Sequence, residues 1–141
     1  MKKKYLGRRI FASIIDYSII IIYMSLHFYH YGVPNEDGGY SLSGLPAFSV
    51  FAFWFLITIG MEQILGSTIG SYLFRIKPVS TIENNDELEK VSFSQSIKRH
   101  LLAPVDAFFF GLVGIILISS TEKGQRLGDL WARTKIIKRS K

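Results

Sequence analysis

The sequence predicts an all-α membrane protein: a small transmembrane helical bundle with a re-entrant or broken third helix and a short cytoplasmic β-ribbon. Three observations predict it. Apolar residues make up 48% of the 141 positions and fall into blocks, from Ile10 to about Tyr31, from Leu45 to Leu65 and from Val105 to Ile118. The first two blocks approach or exceed the roughly 20 residues that cross about 30 Å of hydrocarbon. The basic residues behind the net charge of +6 cluster at the edges of the blocks. That placement suits loops facing the cytoplasm and anionic lipid better than a nucleic-acid surface.

The chain reads as one domain over residues 1–141, with membrane segments at about 10–31, 45–66 and 94–120. Segment one follows the basic MKKKYLGRR and ends in the aromatic HFYHYG, which suits a membrane–water interface. Asp16 inside the apolar run, and the lack of a small-residue cleavage site before Tyr23, argue against a cleaved signal peptide. His27 and His30, three apart, read as interfacial residues, because two histidines without a third ligand do not make a metal site. The loop VPNEDGGYSLSGLP has two acids and no lysine or arginine, so the positive-inside rule puts it outside and the N-terminus in the cytoplasm.

Segment two, PAFSVFAFWFLITIGMEQILG, returns to the cytoplasmic side and carries Glu62 near its inner end. After it, in a cytoplasmic loop spanning 67–93, YLFRIKPV reads as a short strand and STIENNDELEK as an acidic connection. SFSQSIKRHLL starts a helix capped by Ser92 or Ser94. His100, beside Arg99, reads as a headgroup or loop contact.

Pro104 then interrupts the helical pattern, and Asp106 follows it as an N-cap for the arm AFFFGLVG. The tail, residues 121–141, holds seven lysines and arginines, a short helix around Asp129–Ala132 and the strand-like TKIIK. A single crossing by segment three would place those charges outside. A hairpin bent near Pro104–Asp106 keeps them in the cytoplasm, where TKIIKR can pair with YLFRIKPV.

The absence of cysteine excludes disulfides and thiolate metal ligands. No nucleophile–base pair, phosphate loop or zinc signature appears, so neither an enzyme nor a metal or other cofactor is expected. What the sequence does place in the membrane is carboxylate. Asp16 lies two turns beyond Arg9, about 10 Å along the axis, where an acid costs about 2.5–3.5 kcal/mol at mid-membrane and less when shallow. Glu62 would lie at similar depth on the adjacent antiparallel helix. Together they could bind a proton or a monovalent cation, or stand neutralised by Arg9, Arg99 or His100 as a static network.

RRIFASIID, EQILGSTIG and QRLGDLWARTKII together resemble the RDD family of membrane proteins, in that order and over nearly the whole chain. The resemblance assigns the family's arginine and two aspartates to Arg9, Asp16 and Asp129, and its G-x-T-x-G threonine to Thr68. The lysine usual after that motif is Ser71 here, and the small residue usual before Thr134 is Arg133. It further implies both termini on one side of a bacterial cytoplasmic membrane, and a bidentate Arg9–Asp129 ion pair that ties the tail to the start of helix one.

Two functions fit. One is transport or cation/proton exchange, with Asp16 and Glu62 as ligands and Arg9 and Asp129 as a gate; a chain this small would need to be a homo-oligomer. The other is a structural or accessory role, in which the same residues hold the bundle and the basic rim binds anionic headgroups. Arg99, Asp106 and Thr68 are secondary candidates in both. Nucleic acid is not an expected partner.

Overall fold

The structure, a computed structural model, describes residues 5–82 and 89–139. The first four residues of the basic start, positions 83–88 of the expected acidic loop, and residues 140–141 lie outside that range.

Two long helices dominate. α1 runs Leu6–Tyr31 and α2 runs Gly44–Leu65, with a π-helical turn at Leu56–Gly60. Both are long and apolar enough to cross a membrane, at about 39 and 33 Å. They pack through the stacked rings of Tyr23 and Phe53, 3.8 Å between centroids. Their outer faces carry exposed residues such as Ile14, Ile22, Phe48 and Leu56. A contiguous apolar surface of this kind suits lipid rather than water. In α1 the buried residues are Arg9 and Ala12. A two-residue ribbon, β1 (Val33–Pro34) with β2 (Tyr40–Ser41), links the helices at their far end. There the His27 ring packs 4.3 Å from Tyr23 and its Nδ1 approaches the Tyr23 carbonyl.

The remaining elements gather at the end where α1 begins and α2 stops. α3 (Ile69–Leu73) lies across α1. β3 (Ile76–Ser80) pairs antiparallel with β4 (Thr134–Lys138), Pro78 opposite Ile136. The stretch read as the strand YLFRIKPV is thus helical through Leu73 and extended only from Ile76. Thr68, with a side chain that accepts from the Ser71 amide, starts α3 and claims those residues for a helical turn.

α4 (Phe93–Leu101) opens with a capping box: Ser92 accepts from the Gln95 amide, and Gln95 reaches back to the Ser92 amide. The break in segment three falls at Leu102, and α5 (Ala103–Ser120) follows with proline in its first turn. α5 is not straight. Gly111 has φ +83°, and a Cβ on Gly114 would lie 3.2 Å from the Asp106 carbonyl oxygen. Eight residues of straight helix span about 12 Å, so the chain reverses at Gly111, later than the expected bend at Pro104–Asp106. α6 (Leu127–Ala132) and β4 complete the fold. Part of the small apolar core, Ile76, Val79, Val91 and Ala132, lies in this capping layer, and Ala12, Ile59, Ala103 and Ile118 are the buried apolar residues of the longer helices.

Candidate functional site

The layer closes over a cluster of buried charge. Asp129, on α6, is fully buried. Its Oδ2 accepts from Arg9 Nη2 at 2.6 Å and its Oδ1 from Arg99 Nη1 at 2.6 Å. Arg9 turns its other terminal nitrogen to the Gly124 carbonyl. The pair is therefore not the bidentate one expected, because Asp129 divides its oxygens between two guanidinium groups. Burial alone would raise the Asp129 pKa, but Arg99, Arg9 and Arg126 outweigh it and hold the carboxyl well below the usual range. Residues 5–133 match the model of the RDD family.

The chain belongs to the RDD family. No curated protein and no solved structure matches it. The family is a membrane domain of unclear role.

Arg99 connects the RDD chain's second carboxylate to the first. Its Nε stands 3.3 Å from Glu62 Oε1, and its Nη1 also donates to Thr134 Oγ1 at 3.1 Å. Ser96 Oγ donates to Glu62 at 2.5 Å, and His100 Nε2 lies 3.3 Å from Oε2. His100 is thus a buried neighbour of Glu62 and not the headgroup or loop contact expected. The amphipathic α4 aims Ser96, Arg99 and His100 inward together, one helical face by spacing. Burial lowers the His100 pKa, against the pull of Glu62.

Asp16 and Glu62 have separate partners. Asp16 Oδ2 accepts from Thr68 Oγ1 and Oδ1 from the Gly70 amide, each at 2.7 Å. Asp16 therefore answers two donors at the start of α3, and among the described residues it has no ion pair. The contact needs a glycine: a Cβ on Gly70 would overlap the Ala12 carbonyl oxygen.

Asp106 repeats the arrangement. It was expected to cap its own arm. Instead its two oxygens accept from the amides of Leu127 and Gly128, at 2.9 and 3.2 Å, and so cap α6. Gly128 is again the close-contact residue, where a Cβ would lie 2.6 Å from the Arg99 carbonyl oxygen.

Sequence reasoning missed three residues here. Arg126 was read only as part of a basic tail, yet its Nε lies 3.6 Å from Asp106 and 3.8 Å from Asp129. Burial works against its charge, but those carboxylates hold its proton more firmly than usual. Gln95 Nε2 donates to Ser80 Oγ at 3.0 Å and the Ala132 carbonyl at 2.9 Å, and Gln125 Nε2 to the Thr134 carbonyl at 2.6 Å. The S-x-x-Q capping pattern signalled Gln95 as a cap, but nothing local signalled its second use.

Arg9, Arg99 and Arg126 balance Glu62, Asp106 and Asp129, three charges of each sign, and Asp16 stands outside the balance. A cavity of about 520 Å³ opens beside the network, between α1 and α5, with Asp16, Arg126, His100 and Thr68 in its wall. Among the described residues no group of His, Asp and Glu is arranged to hold a metal ion.

Proposed function

We propose that this RDD chain is a structural or accessory membrane protein, in which the buried ionic network locks the tail and capping layer onto the ends of two spanning helices. One observation carries the reading: Arg99 bridges Glu62 and Asp129 while Arg9 takes the other oxygen of Asp129. Acids so neutralised are poorly placed to release and rebind ions. Removing any one member leaves a buried charge uncompensated, as in a structural lock.

The lock bears on topology. Arg9 at the start of α1 touches the tail, which supports both termini lying on one side, the cytoplasmic face by the positive-inside rule. The arm Gly111–Ser120 spans about 15 Å, short of a crossing. That length supports a re-entrant third segment that enters and leaves on the cytoplasmic side of a bacterial inner membrane, with the ribbon β3–β4 beneath it. The basic rim then meets anionic headgroups. A cysteine in place of Lys138 should label from the cytoplasmic side; labelling only from outside would overturn this arrangement.

Cation/proton exchange by a homo-oligomer is the second reading, favoured by Asp16, which has no cation partner among the described residues and lines the cavity. Proteoliposomes decide between the two. The structural reading expects no pH- or sodium-coupled flux from the wild type. A coupled flux that Asp16→Asn abolishes in a folded protein would replace it with exchange.

A further inference from the structure

The cavity between α1 and α5 has an apolar wall and a polar end. Ile21 on α1 and Ile115 and Ile118 on the second arm of α5 line the former; Asp16, Tyr17 and Arg126 line the latter. Its volume of about 520 Å³ falls within the range of small-molecule sites.

The polar end holds a guanidinium whose donors are unmet at hydrogen-bond distance. A guanidinium carries five N–H donors, yet the buried Arg126 Nε makes no hydrogen bond among the described residues, only long ion pairs to Asp106 at 3.6 Å and Asp129 at 3.8 Å. The nearby carboxylates are turned to other donors, Asp106 to two backbone amides and Asp129 to Arg9 and Arg99, and stand beyond hydrogen-bond distance of the Arg126 Nε. Tyr17, exposed at the cavity's edge, stands beside it. An occupant of the cavity can supply oxygens to these donors, and a phosphate fits a guanidinium through paired hydrogen bonds.

Charge narrows the class further. The three arginines are balanced by three carboxylates, and Asp16 is a surplus acid, so a purely anionic head would add to an existing excess. A carboxylate offers about four lone-pair sites, and Asp16 uses two, on Thr68 and Gly70. An ammonium can take the rest. A head that carries both groups, followed by an apolar chain, matches both ends of the cavity.

We propose that this cavity binds one aminophospholipid, with its phosphate on Arg126, its ammonium at Asp16 and an acyl chain along Ile21, Ile115 and Ile118. The site rests on the reading of the chain as a membrane protein, and differs from the diffuse basic rim in being lateral, confined to one half-open cavity and selective for a zwitterion.

The test is native mass spectrometry of the full chain from nanodiscs of phosphatidylethanolamine, phosphatidylglycerol or phosphatidylcholine. The wild type should keep one phosphatidylethanolamine through delipidation, in preference to the other two. Arg126→Gln should lose it, and so should Ile21→Trp, which fills the apolar wall from a lipid-facing position and keeps the test sound if the arginine variant misfolds. Asp16→Asn should shift the preference toward phosphatidylglycerol. Equal or better retention of phosphatidylglycerol by the wild type, or wild-type retention by both Arg126→Gln and Ile21→Trp, would overturn the proposal. Displacement of the retained lipid by inorganic phosphate would assign the site to free phosphate instead. A chain that fails to enter nanodiscs refutes the membrane reading itself; one that enters without selective retention refutes only the lipid site.

Discussion

Arg9 and Asp129 stand 120 residues apart in the chain and 2.6 Å apart in space. Asp129→Ala leaves Arg9 and Arg99 buried without their shared counter-ion, a loss of about 3–5 kcal/mol. The thermal unfolding midpoint in detergent should fall steeply. A midpoint within a degree or two of wild type would remove the network from the fold's stability.

Gly70 and Gly7 give a matched comparison. Gly70→Ala must push α3 off Ala12, at a cost of about 1–3 kcal/mol or more for an overpacked contact. Gly7→Ala meets nothing within 4 Å. Equal thermal stability of the two variants would contradict the close α1–α3 contact.

The two aspartate caps should be separable by hydrogen exchange. Asp16→Ala exposes the Gly70 amide and Asp106→Ala exposes those of Leu127 and Gly128, each losing about 0.5–2 kcal/mol of cap. Protection is expected to drop only at the uncapped helix. A drop at both helices in each variant would show that they unfold as one unit.

Acid should act in two stages. The folded pKa of His100 lies below its unfolded value, because burial outweighs Glu62. The unfolded chain therefore binds that proton more readily: stability is full above about pH 6.5 and declines as pH falls below it. Asp129 also has a depressed folded pKa, so its contribution is full above about pH 3.9 and is lost as pH falls further. In unfolding midpoints followed against pH, His100→Gln should remove the first decline and keep the second. A wild-type profile that is flat through the first range would refute the assignment for His100.

Gly111 should resist substitution. Its φ of +83° reverses α5, and a β-branched side chain there costs roughly 1–2 kcal/mol. Gly111→Val should lower the melting point while Leu112→Val, on an exposed face, changes it little.

Much of this was legible in the sequence, for identifiable reasons. The spanning helices announce themselves through apolar length, and the Arg9–Asp129 contact was implied by the family resemblance, which singled out those two residues, together with a charge rule that puts both ends on one side. What stayed hidden depends on steric detail. The Asp16 contacts exist because Gly70 lets one backbone touch another, and hydropathy carries no trace of that. Asp106 looked like a local cap because sequence shows only neighbours along the chain, whereas the free amides it found are 21 and 22 residues away. Arg126 was lost among a basic tail for the same reason: composition counts a charge without saying which way it faces.

The separation of Arg9 from its counter-ion also sets an order of manufacture. Ribosomes add about 5–20 residues per second, so Arg9 emerges on the order of ten seconds before Asp129 exists to receive it. During that interval the first helix waits with a charge whose counter-ion is not yet made, while Arg99, once synthesised, already has Glu62 to pair with. The last helix synthesised closes the first, so the fold is sealed only when translation reaches the tail, and a nascent chain that stalls short of it announces its incompleteness by an unmatched Arg9.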